Sequence, residues 1–450
     1  MFSYLFSSNT VKRVLIISYY FPPCGGIGVL RCLKIAKYLR DFGWEPIIYT
    51  AKDAHYPSYD YGNFKDIPEG ITILQQPIFE PYTFYKKFTK QKATANANNA
   101  LVASEGKKDW KHRLSVWIRS NFFIPDARAF WIKPSVNFLL NYLKTNSIDA
   151  IFSDGPPHTN TRIACLLKQK TGIPWLADFQ DPWTQVDYYQ RLILSQWADA
   201  KHKKMEQEAF QYADAMTIVS NVWKKDLESI GAENVSVVVW GYDAADFKDL
   251  QAKYDKKLTI THAGLLGDDR NPKILFEVIA ELCQEFAKQG DTTFSQVLEI
   301  QLIGQVDASI VETYCNCGIA KNVKLIEQIE RKEALQYVAN SQILLLLLNQ
   351  ASNAMGRIPG KLFEYLAVQR PILCLGMQQS DVDMLLQEAQ AGKVFTYTDK
   401  QALKTQIKTY YQEFIKTGHL QQKNASIEQY SNRKLTEKIA QILDAITSKN

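Results

Sequence analysis

The sequence predicts an α/β protein with two doubly wound domains in tandem. The chain has 450 residues, which is about three times the length of an ordinary single domain. Short apolar runs alternate with helical patterns over 14–219 and again over 258–390, and this alternation is typical of parallel sheets covered by helices. A polar stretch without a strand pattern, 244–257, separates the two series. We therefore expect domains at 1–245 and 246–450.

The first series opens with a βαβ unit. Strands at 14–18 and 46–50 flank a helix that ends at Gly43, because apolar residues recur there at helical spacing and glycine commonly follows a helix end. Strands and helices then continue in alternation. They are expected at 150–153, 159–170, 175–177, 203–213, 215–219 and 235–239.

The second series has the same alternation. Its strands are expected at 258–262, 298–303, 323–326, 343–348 and 371–375, and its helices at 272–286, 308–315, 331–340, 361–367 and 381–390. The last helix carries an apolar row, Leu435, Ile439, Ile442 and Ile446. That row needs a partner surface, and we expect it to pack back on the first domain. Two such domains should place the carboxyl ends of their sheets across a shared cleft, where ligands of this architecture bind.

Composition excludes several classes of protein. Apolar residues make up 46% of the chain and charged residues 22%, which argues against a disordered or fibrous protein. The seven cysteines lack paired metal spacing, so free thiols are expected. The start of the chain has no secretory pattern and the longest apolar run, 343–348, is too short to cross a bilayer. We therefore expect a cytoplasmic protein.

A basic, aromatic insertion is expected in the first domain at 84–133, because this segment contains 11 Lys and Arg residues but only 3 Asp and Glu residues. Part of it has helical spacing. The apolar residues at that spacing are Trp110, Leu114, Trp117, Ile118 and Phe122. Such a helix can lie on an anionic membrane surface through 109–123, or it can be a surface helix whose aromatic stripe packs on its own domain. No recognised nucleic-acid motif accompanies the charge, so no nucleic-acid partner is expected.

Three loops of the first domain follow strands and carry candidate residues. Gly25, Gly26 and Gly28 lie between a strand and a helix start, which suits an anion, although a turn that requires glycine is the alternative. The glycines do not match the dinucleotide-binding fingerprint. His158 follows the predicted strand at 150–153, and Asp181 follows the predicted strand at 175–177. Polar residues there are poorly explained by core packing, yet a surface histidine and a helix-capping aspartate are the alternatives.

The second domain offers Gly264 to Lys273 and a later segment around Lys361. Lys361 and Glu364 are three residues apart at a helix start and share a face. A cation there suits a diphosphate and a carboxylate suits ribose hydroxyls, whereas a surface ion pair is the alternative. Asp381 and Asp383 resemble a metal-binding pair, but a capping box that starts at Ser380 explains them better, so no metal site is expected.

Together these motifs resemble family 4 glycosyltransferases of the GT-B fold. The resemblance covers nearly the whole chain. The matching segments are 20–23 with 25–28 and Arg31, 153–158, 178–183, and 358–366 with its Pro-Gly-Lys-Leu-Phe-Glu signature. It implies two Rossmann-like domains, the first holding the acceptor and the second a nucleotide sugar.

The resemblance also implies roles. Arg270 and Lys361 contact the donor diphosphate, Glu364 binds the nucleotide ribose, and Gly28 faces the donor phosphates and the acceptor. Most of the family retain anomeric configuration, and the leaving diphosphate takes the acceptor proton without metal or cofactor. The candidate catalytic residues are Arg270, Lys361, His158 and Asp181, and the candidate donor-binding residues are Gly25, Gly26, Gly28, Gly264, Lys273, Arg357, Gly360 and Glu364.

The sequence departs from the family pattern at four places, two of which are Gln180 in place of a frequent arginine and Trp240 in place of an asparagine. Gly356 stands where the earlier of two glutamates is usual, and Leu265 replaces an arginine. The expected function is transfer of a sugar from a nucleotide sugar to a glycan or lipid-linked acceptor in cell-surface polysaccharide synthesis. A sugar-nucleotide epimerase and a catalytically silent glycan-binding or scaffold protein are the alternatives.

Overall fold

The chain forms two compact units, each with one parallel sheet. The computed structural model describes residues 11–56, 58–80, 110–187, 189, 192–351, 354–422 and 425–448. The first unit comprises Met1–Val239 with Asn432–Asn450, and the second comprises Trp240–Ser431. The two predicted α/β domains are therefore confirmed as a fold class, and the chain enters the second unit slightly before residue 245.

The first unit is built on a seven-stranded sheet. Its strands are β1 (Lys12–Ile17), β2 (Trp44–Lys52), β3 (Thr72–Pro77), β4 (Ala150–Gly155), β5 (Trp175–Phe179), β6 (Ala215–Ile218) and β7 (Val235–Val237). Their order is β3-β2-β1-β4-β5-β6-β7, and all neighbours are parallel. Its helices up to residue 239 are α1 (Ile27–Tyr38), α2 (Trp110–Phe122), α3 (Ile132–Leu143), α4 (His158–Thr171), α5 (Gln196–Tyr212) and α6 (Asn221–Ser229).

The order of the first sheet brings candidate residues together. β4 lies between β1 and β5, and Asp154 on β4 is directly opposite Asp178 on β5. Because the carboxyl ends of parallel strands meet at one edge of a sheet, the loops after β1, β4 and β5 are neighbours.

The second unit repeats this plan with six strands. They are β8 (Leu258–Ala263), β9 (Leu298–Ile303), β10 (Val323–Ile326), β11 (Ile343–Leu347), β12 (Ile372–Leu375) and β13 (Gly392–Phe395), in the order β10-β9-β8-β11-β12-β13. The helices are α7 (Lys273–Lys288), α8 (Thr293–Val297), α9 (Ala308–Asn316), α10 (Arg331–Asn340), α11 (Lys361–Ala367), α12 (Asp381–Glu388) and α13 (Lys400–Thr417). Near-continuous apolar strands such as β11 are typical of a sheet covered on both faces.

The last helix, α14 (Asn432–Thr447), belongs to the core of the first unit. Leu435, Ile439 and Leu443 are buried on its inner face, where they pack in one cluster with residues of α1 and β1. Full burial of side chains of this size contributes about 1.5–3 kcal/mol each to folding. The core of the first unit is therefore completed by a helix that follows the second unit in the sequence.

The predicted basic helix forms as α2, but its apolar stripe does not enter the core. Leu114, Trp117, Ile118 and Phe122 are 45%, 38%, 42% and 63% exposed. The residues that face the domain instead are Val116, Ser120 and Asn121. The interpretation in which the stripe packs on its own domain is therefore wrong for these four side chains. No helix among the described residues is both long and apolar enough to cross a bilayer.

Candidate functional site

A buried carboxyl group lies at the edge of the first sheet. Asp154 is 1% exposed; it accepts a hydrogen bond of 2.8 Å from the Ser18 hydroxyl and another from the Gln180 side-chain amide. Burial, helped by the negative charge of Asp178, raises the pKa of Asp154 to about 7. At neutral pH this carboxyl group is therefore shared between its protonated and ionised forms.

The neighbouring carboxylate, Asp178, is part of an ion pair. Arg31 on α1 donates from Nε and Nη2 to its two oxygens, at 2.7 and 2.8 Å. The Thr217 hydroxyl donates to Asp178 Oδ1 at 2.5 Å. Both side chains of the ion pair are almost fully buried, so breaking the pair would leave a buried charge. Asp178 thus joins α1 to β5.

His158 is the first residue of α4 and is buried. Its ring stacks on Trp183, with centroids 4.3 Å apart and planes 3° apart. Neither ring nitrogen has a hydrogen-bond partner within the described residues. Burial, together with the nearby charge of His202, lowers the pKa of His158 to about 3. The imidazole is therefore neutral at physiological pH and has both a donor and an acceptor nitrogen without a partner.

The start of α4 is held by a residue that the sequence patterns do not reveal. Asp126 accepts hydrogen bonds from the Thr159 N–H at 2.8 Å and from the Thr159 hydroxyl at 2.9 Å. A carboxylate at this end of a helix satisfies unpaired N–H groups and suits the helix dipole. Asp126 lies in the segment after α2, so it fixes His158 from a distant part of the sequence.

The remaining candidates of the first unit lie in two loops. Gly26 has φ +90° immediately before α1, which favours glycine and supports the turn interpretation for this residue. Gly25 N–H donates to Ser58 O at 2.9 Å, while Gly28 lies in the first turn of α1. Asp181 is partly buried in the loop after β5.

In the second unit, Lys361 reaches from α11 to the end of β8. Its Nζ donates to Ala263 O at 2.7 Å and lies 3.3 Å from His262 Nε2. Burial, with the nearby charge of Arg270, lowers the pKa of Lys361 to about 8. The ammonium group is therefore still mostly protonated at neutral pH, although its environment disfavours the charge.

Arg270 and Gly264 belong to the loop beside this ammonium group. Arg270 Nε lies 3.3 Å from Asp269 Oδ1, but it has no hydrogen-bond partner within the described residues. Gly264 has φ +111°, and a Cβ there would lie 3.1 Å from Lys361 Nζ. Only glycine suits this backbone and this close approach. Arg270 and Lys361 are thus two neighbouring cations beside this glycine turn.

Glu364, one turn after Lys361, is part of an ion-pair cluster. Its Oε1 accepts from Arg331 Nη2 at 2.6 Å and from Nε at 3.1 Å. Arg331 Nη1 also donates to Asp246 Oδ2 at 2.9 Å. Arg331, the first residue of α10, was not found by sequence reasoning, because only its charge distinguishes it from other helix-start residues. The surface ion pair expected as the alternative, Lys361 with Glu364, is not present.

The other donor-binding candidates lie around this centre. Lys273, at the start of α7, has a side chain that is 70% exposed and lies 3.8 Å from Glu277. Arg357 is partly buried between a short 3-10 helix and α11, and Gly360 is the N-cap of α11. Because α11 has only seven residues, anion binding here depends on side chains more than on the helix dipole.

The capping interpretation of the pair Asp381 and Asp383 is confirmed. Ser380 is the N-cap of α12 and its hydroxyl accepts from the Asp383 N–H at 3.3 Å. Asp383 in turn accepts from the Gln379 N–H at 2.8 Å. These hydrogen bonds account for the residue types at this helix start.

No protein-family model matches the chain, and no curated protein matches it. Several solved structures do. A sucrose-phosphate synthase from Thermosynechococcus elongatus has a TM-score of 0.52 at 12% identity, over 97% of both chains. Anabaena HepE in complex with UDP-glucose has a TM-score of 0.52 at 14% identity, over 97% of both chains. A Listeria monocytogenes protein assigned as a UDP-N-acetylglucosamine 2-epimerase has a TM-score of 0.55 at 12% identity, over 98% of both chains. The likeness shows the fold: two Rossmann-like domains of the GT-B type.

Proposed function

We propose that this protein is a glycosyltransferase that resembles family 4 and moves a sugar from a nucleotide-sugar donor to a glycan or lipid-linked acceptor in cell-surface polysaccharide synthesis. One observation carries the proposal. Lys361 and Arg270 lie beside the Gly264 turn, and burial together with the charge of Arg270 lowers the pKa of Lys361. Two neighbouring cations repel each other, so a diphosphate that neutralises both charges would be bound strongly.

Glu364 is the group we assign to the nucleotide ribose. A carboxylate can accept hydrogen bonds from two adjacent hydroxyl groups. Its oxygen Oε1 is held by Arg331, which leaves Oε2 as the acceptor that we assign to the ribose. Arg357, Gly360 and Lys273 remain predicted donor contacts.

The first unit supplies the acceptor side in this proposal. His158 is neutral and offers one donor and one acceptor nitrogen, which suits a sugar hydroxyl, and Asp181 is a second candidate contact. We propose transfer with retention, in which the departing diphosphate oxygen takes the proton of the acceptor hydroxyl. Lys361 and Arg270 then stabilise the charge that develops on the diphosphate as the glycosidic bond breaks. The predicted anion-binding role of Gly25, Gly26 and Gly28 belongs to the same proposal.

Because side-chain cations take the diphosphate charge, no metal or cofactor is part of the proposal. We propose a cytoplasmic location, where nucleotide sugars are available.

Calorimetric titration with UDP, GDP and ADP tests the proposal. At least one should bind and raise the melting temperature, because a ligand that binds only the folded state stabilises it. Transfer of a labelled sugar from the matching nucleotide sugar then identifies the reaction. Failure of every nucleoside diphosphate to bind would contradict the proposal and favour a silent glycan-binding protein.

An epimerase is the second candidate, because the fold is shared with the Listeria protein. Epimerisation needs no acceptor. Incubation of sugar nucleotides alone, analysed by NMR for a changed sugar, therefore separates the two activities.

A further inference from the structure

Helix α2 presents an apolar face that the other described residues of the unit do not cover. Leu114, Trp117, Ile118 and Phe122 follow one another at helical spacing, so they lie on one face. All four are more than a third exposed. The Trp117 and Phe122 rings contact each other edge to face, with centroids 5.8 Å apart. We call these four residues the exposed stripe; contiguous apolar surface of this kind usually marks an interaction site.

The carboxyl end of α2 is anchored in the first unit. Asn121 Nδ2 donates to Ile193 O at 2.7 Å, and the Ser195 N–H donates to Asn121 Oδ1 at 2.7 Å. These hydrogen bonds join the end of α2 to the start of α5, where Trp197 is 59% exposed and Lys201 Nζ lies 4.9 Å from its ring centroid. These contacts, with the buried Val116 and Ser120, fix α2 on the unit while the exposed stripe stays accessible.

Charge distinguishes the possible occupants of the exposed stripe. The α2 sequence contains Lys111, Arg113 and Arg119 and no Asp or Glu, and Arg113 is exposed. A second copy docked through the same face would bring the two Arg113 side chains close to each other without a carboxylate of the helix to offset them, which is unfavourable. An anionic surface would pair with the exposed Arg113.

From these observations we propose that the exposed stripe of α2 docks on an anionic lipid bilayer, with its rings in the headgroup region. Aromatic side chains on one face and basic residues beside them are the features of helices that lie in the membrane interface. Each basic residue near an anionic leaflet strengthens binding by about fivefold. A helix of 13 residues is long enough for this and lies in the plane of the interface.

The docking helix is connected to the candidate acceptor site. The segment after α2 carries Asp126, which holds Thr159 beside His158. The loop tied to Asn121 follows Trp183, on which His158 stacks. We therefore infer that the acceptor is anchored in the membrane by a lipid. This step rests on the proposed function, whereas the docking itself does not.

Co-sedimentation with vesicles tests the docking without donor or acceptor. The wild-type protein should bind vesicles of phosphatidylcholine with about one-third phosphatidylglycerol at least tenfold more tightly than pure phosphatidylcholine vesicles. Trp117→Ser with Phe122→Ser should lower binding to the anionic vesicles by at least about tenfold. Arg113→Gln should lower it by about fivefold.

Matched controls lie in the second unit. Leu325→Ser with Ile415→Ser removes two side chains that are 49% and 52% exposed, and Lys416→Gln removes one exposed charge. These variants should bind vesicles within twofold of the wild type. Melting temperatures equal to that of the wild type show that the stripe variants are folded, as expected for exposed positions.

Three results would overturn the proposal. They are equal binding to anionic and neutral vesicles, unchanged binding by the stripe variant, and self-association in sedimentation velocity that the stripe variant abolishes while no vesicle binds. Vesicle binding without nucleoside diphosphate binding would leave the docking intact and refute the proposed function. Nucleoside diphosphate binding without vesicle binding would refute the docking and leave the proposed function intact.

Discussion

The candidate residues at the two sheet edges differ in their charge at neutral pH. In the first unit, burial lowers the pKa of His158 to about 3 and raises that of Asp154 to about 7, so both groups move toward their neutral forms. In the second unit, burial lowers the pKa of Lys361 only to about 8, so it stays charged at neutral pH beside Arg270. The first edge thus carries a neutral imidazole and a partly protonated carboxyl group, whereas the second carries two cations. A hydroxyl-bearing acceptor fits the first, and an anionic donor fits the second.

The comparison is tested most strongly at Lys361. Lys361→Gln removes a partly buried cation that we assign to the diphosphate, so affinity for the nucleoside diphosphate should fall about 100-fold. Calorimetry measures the change. Lys400→Gln is the matched control, because Lys400 also starts a helix but pairs with Glu277 and Glu281 away from the candidate site.

Lys400→Gln should change this affinity less than threefold. Equal effects of the two substitutions would show that the cationic character of this edge has no specific role in donor binding.

The neutral edge is tested at His158. His158→Phe keeps a flat ring against Trp183 but removes both hydrogen-bonding nitrogens, so kcat/KM for sugar transfer should fall about 30-fold. Affinity for the nucleoside diphosphate should stay within twofold. His419→Phe is the control, since His419 also stacks on an aromatic ring, that of Tyr254. A large loss of nucleotide affinity in His158→Phe would remove the distinction between the two edges.

The ion pair of Arg331 with Glu364 refines the donor side. Arg331→Gln should weaken nucleoside diphosphate binding about tenfold, because Glu364 loses the contact that orients it. Binding of inorganic pyrophosphate, which lacks ribose, should not change. Arg433→Gln, which breaks the exposed pair with Asp41, is the control and should have no effect. An equal loss for pyrophosphate would contradict the ribose assignment.

The smallest expected effect is on stability as pH falls. The pKa of His158 is lower in the folded protein than in the unfolded chain, so the unfolded chain binds more protons and stability is lost as pH falls below about 6.5. From pH 7 to pH 6 this contribution amounts to about 0.7 kcal/mol, and His158→Phe should remove it.

For Asp154 the folded pKa is raised, so its contribution to stability is lost as pH rises. Asp154→Asn should therefore shift the pH profile in the opposite direction. Urea denaturation at each pH gives the free energy of unfolding of the wild type and of both variants as a function of pH. If the two substitutions changed the slope of this dependence in the same direction, the opposite pKa shifts of His158 and Asp154 would be contradicted.

The fold could be predicted because its signals are local. The apolar runs of β8 and β11 and the periodicity of α7 are visible in short windows. Two strands were not predicted, because they lack such a local signal. β3 is an edge strand with mostly exposed side chains, and β13 has only four residues and begins with Gly392, so neither has a clear apolar run.

The contacts of the candidate site could be predicted only in part. Lys361 and Glu364 were recognised from their spacing and family resemblance, but Arg331 holds Glu364 from 33 residues away. Likewise, nothing near His158 in the sequence indicates that Asp126 fixes its helix. Local patterns predict which residue types stand at strand ends, whereas ion pairs between distant segments depend on the folded arrangement.

The return of α14 to the first unit has a consequence for truncated forms of the chain. A stop codon after Ser431 would delete none of the second unit, yet it would strip Leu435, Ile439 and Leu443 from the core of the first. The entry and exit segments of the second unit meet through a 3.1 Å bond from the Tyr242 N–H to Tyr430 O. The second unit is thus an insert with adjoining ends, the topology from which a domain can be excised and expressed separately.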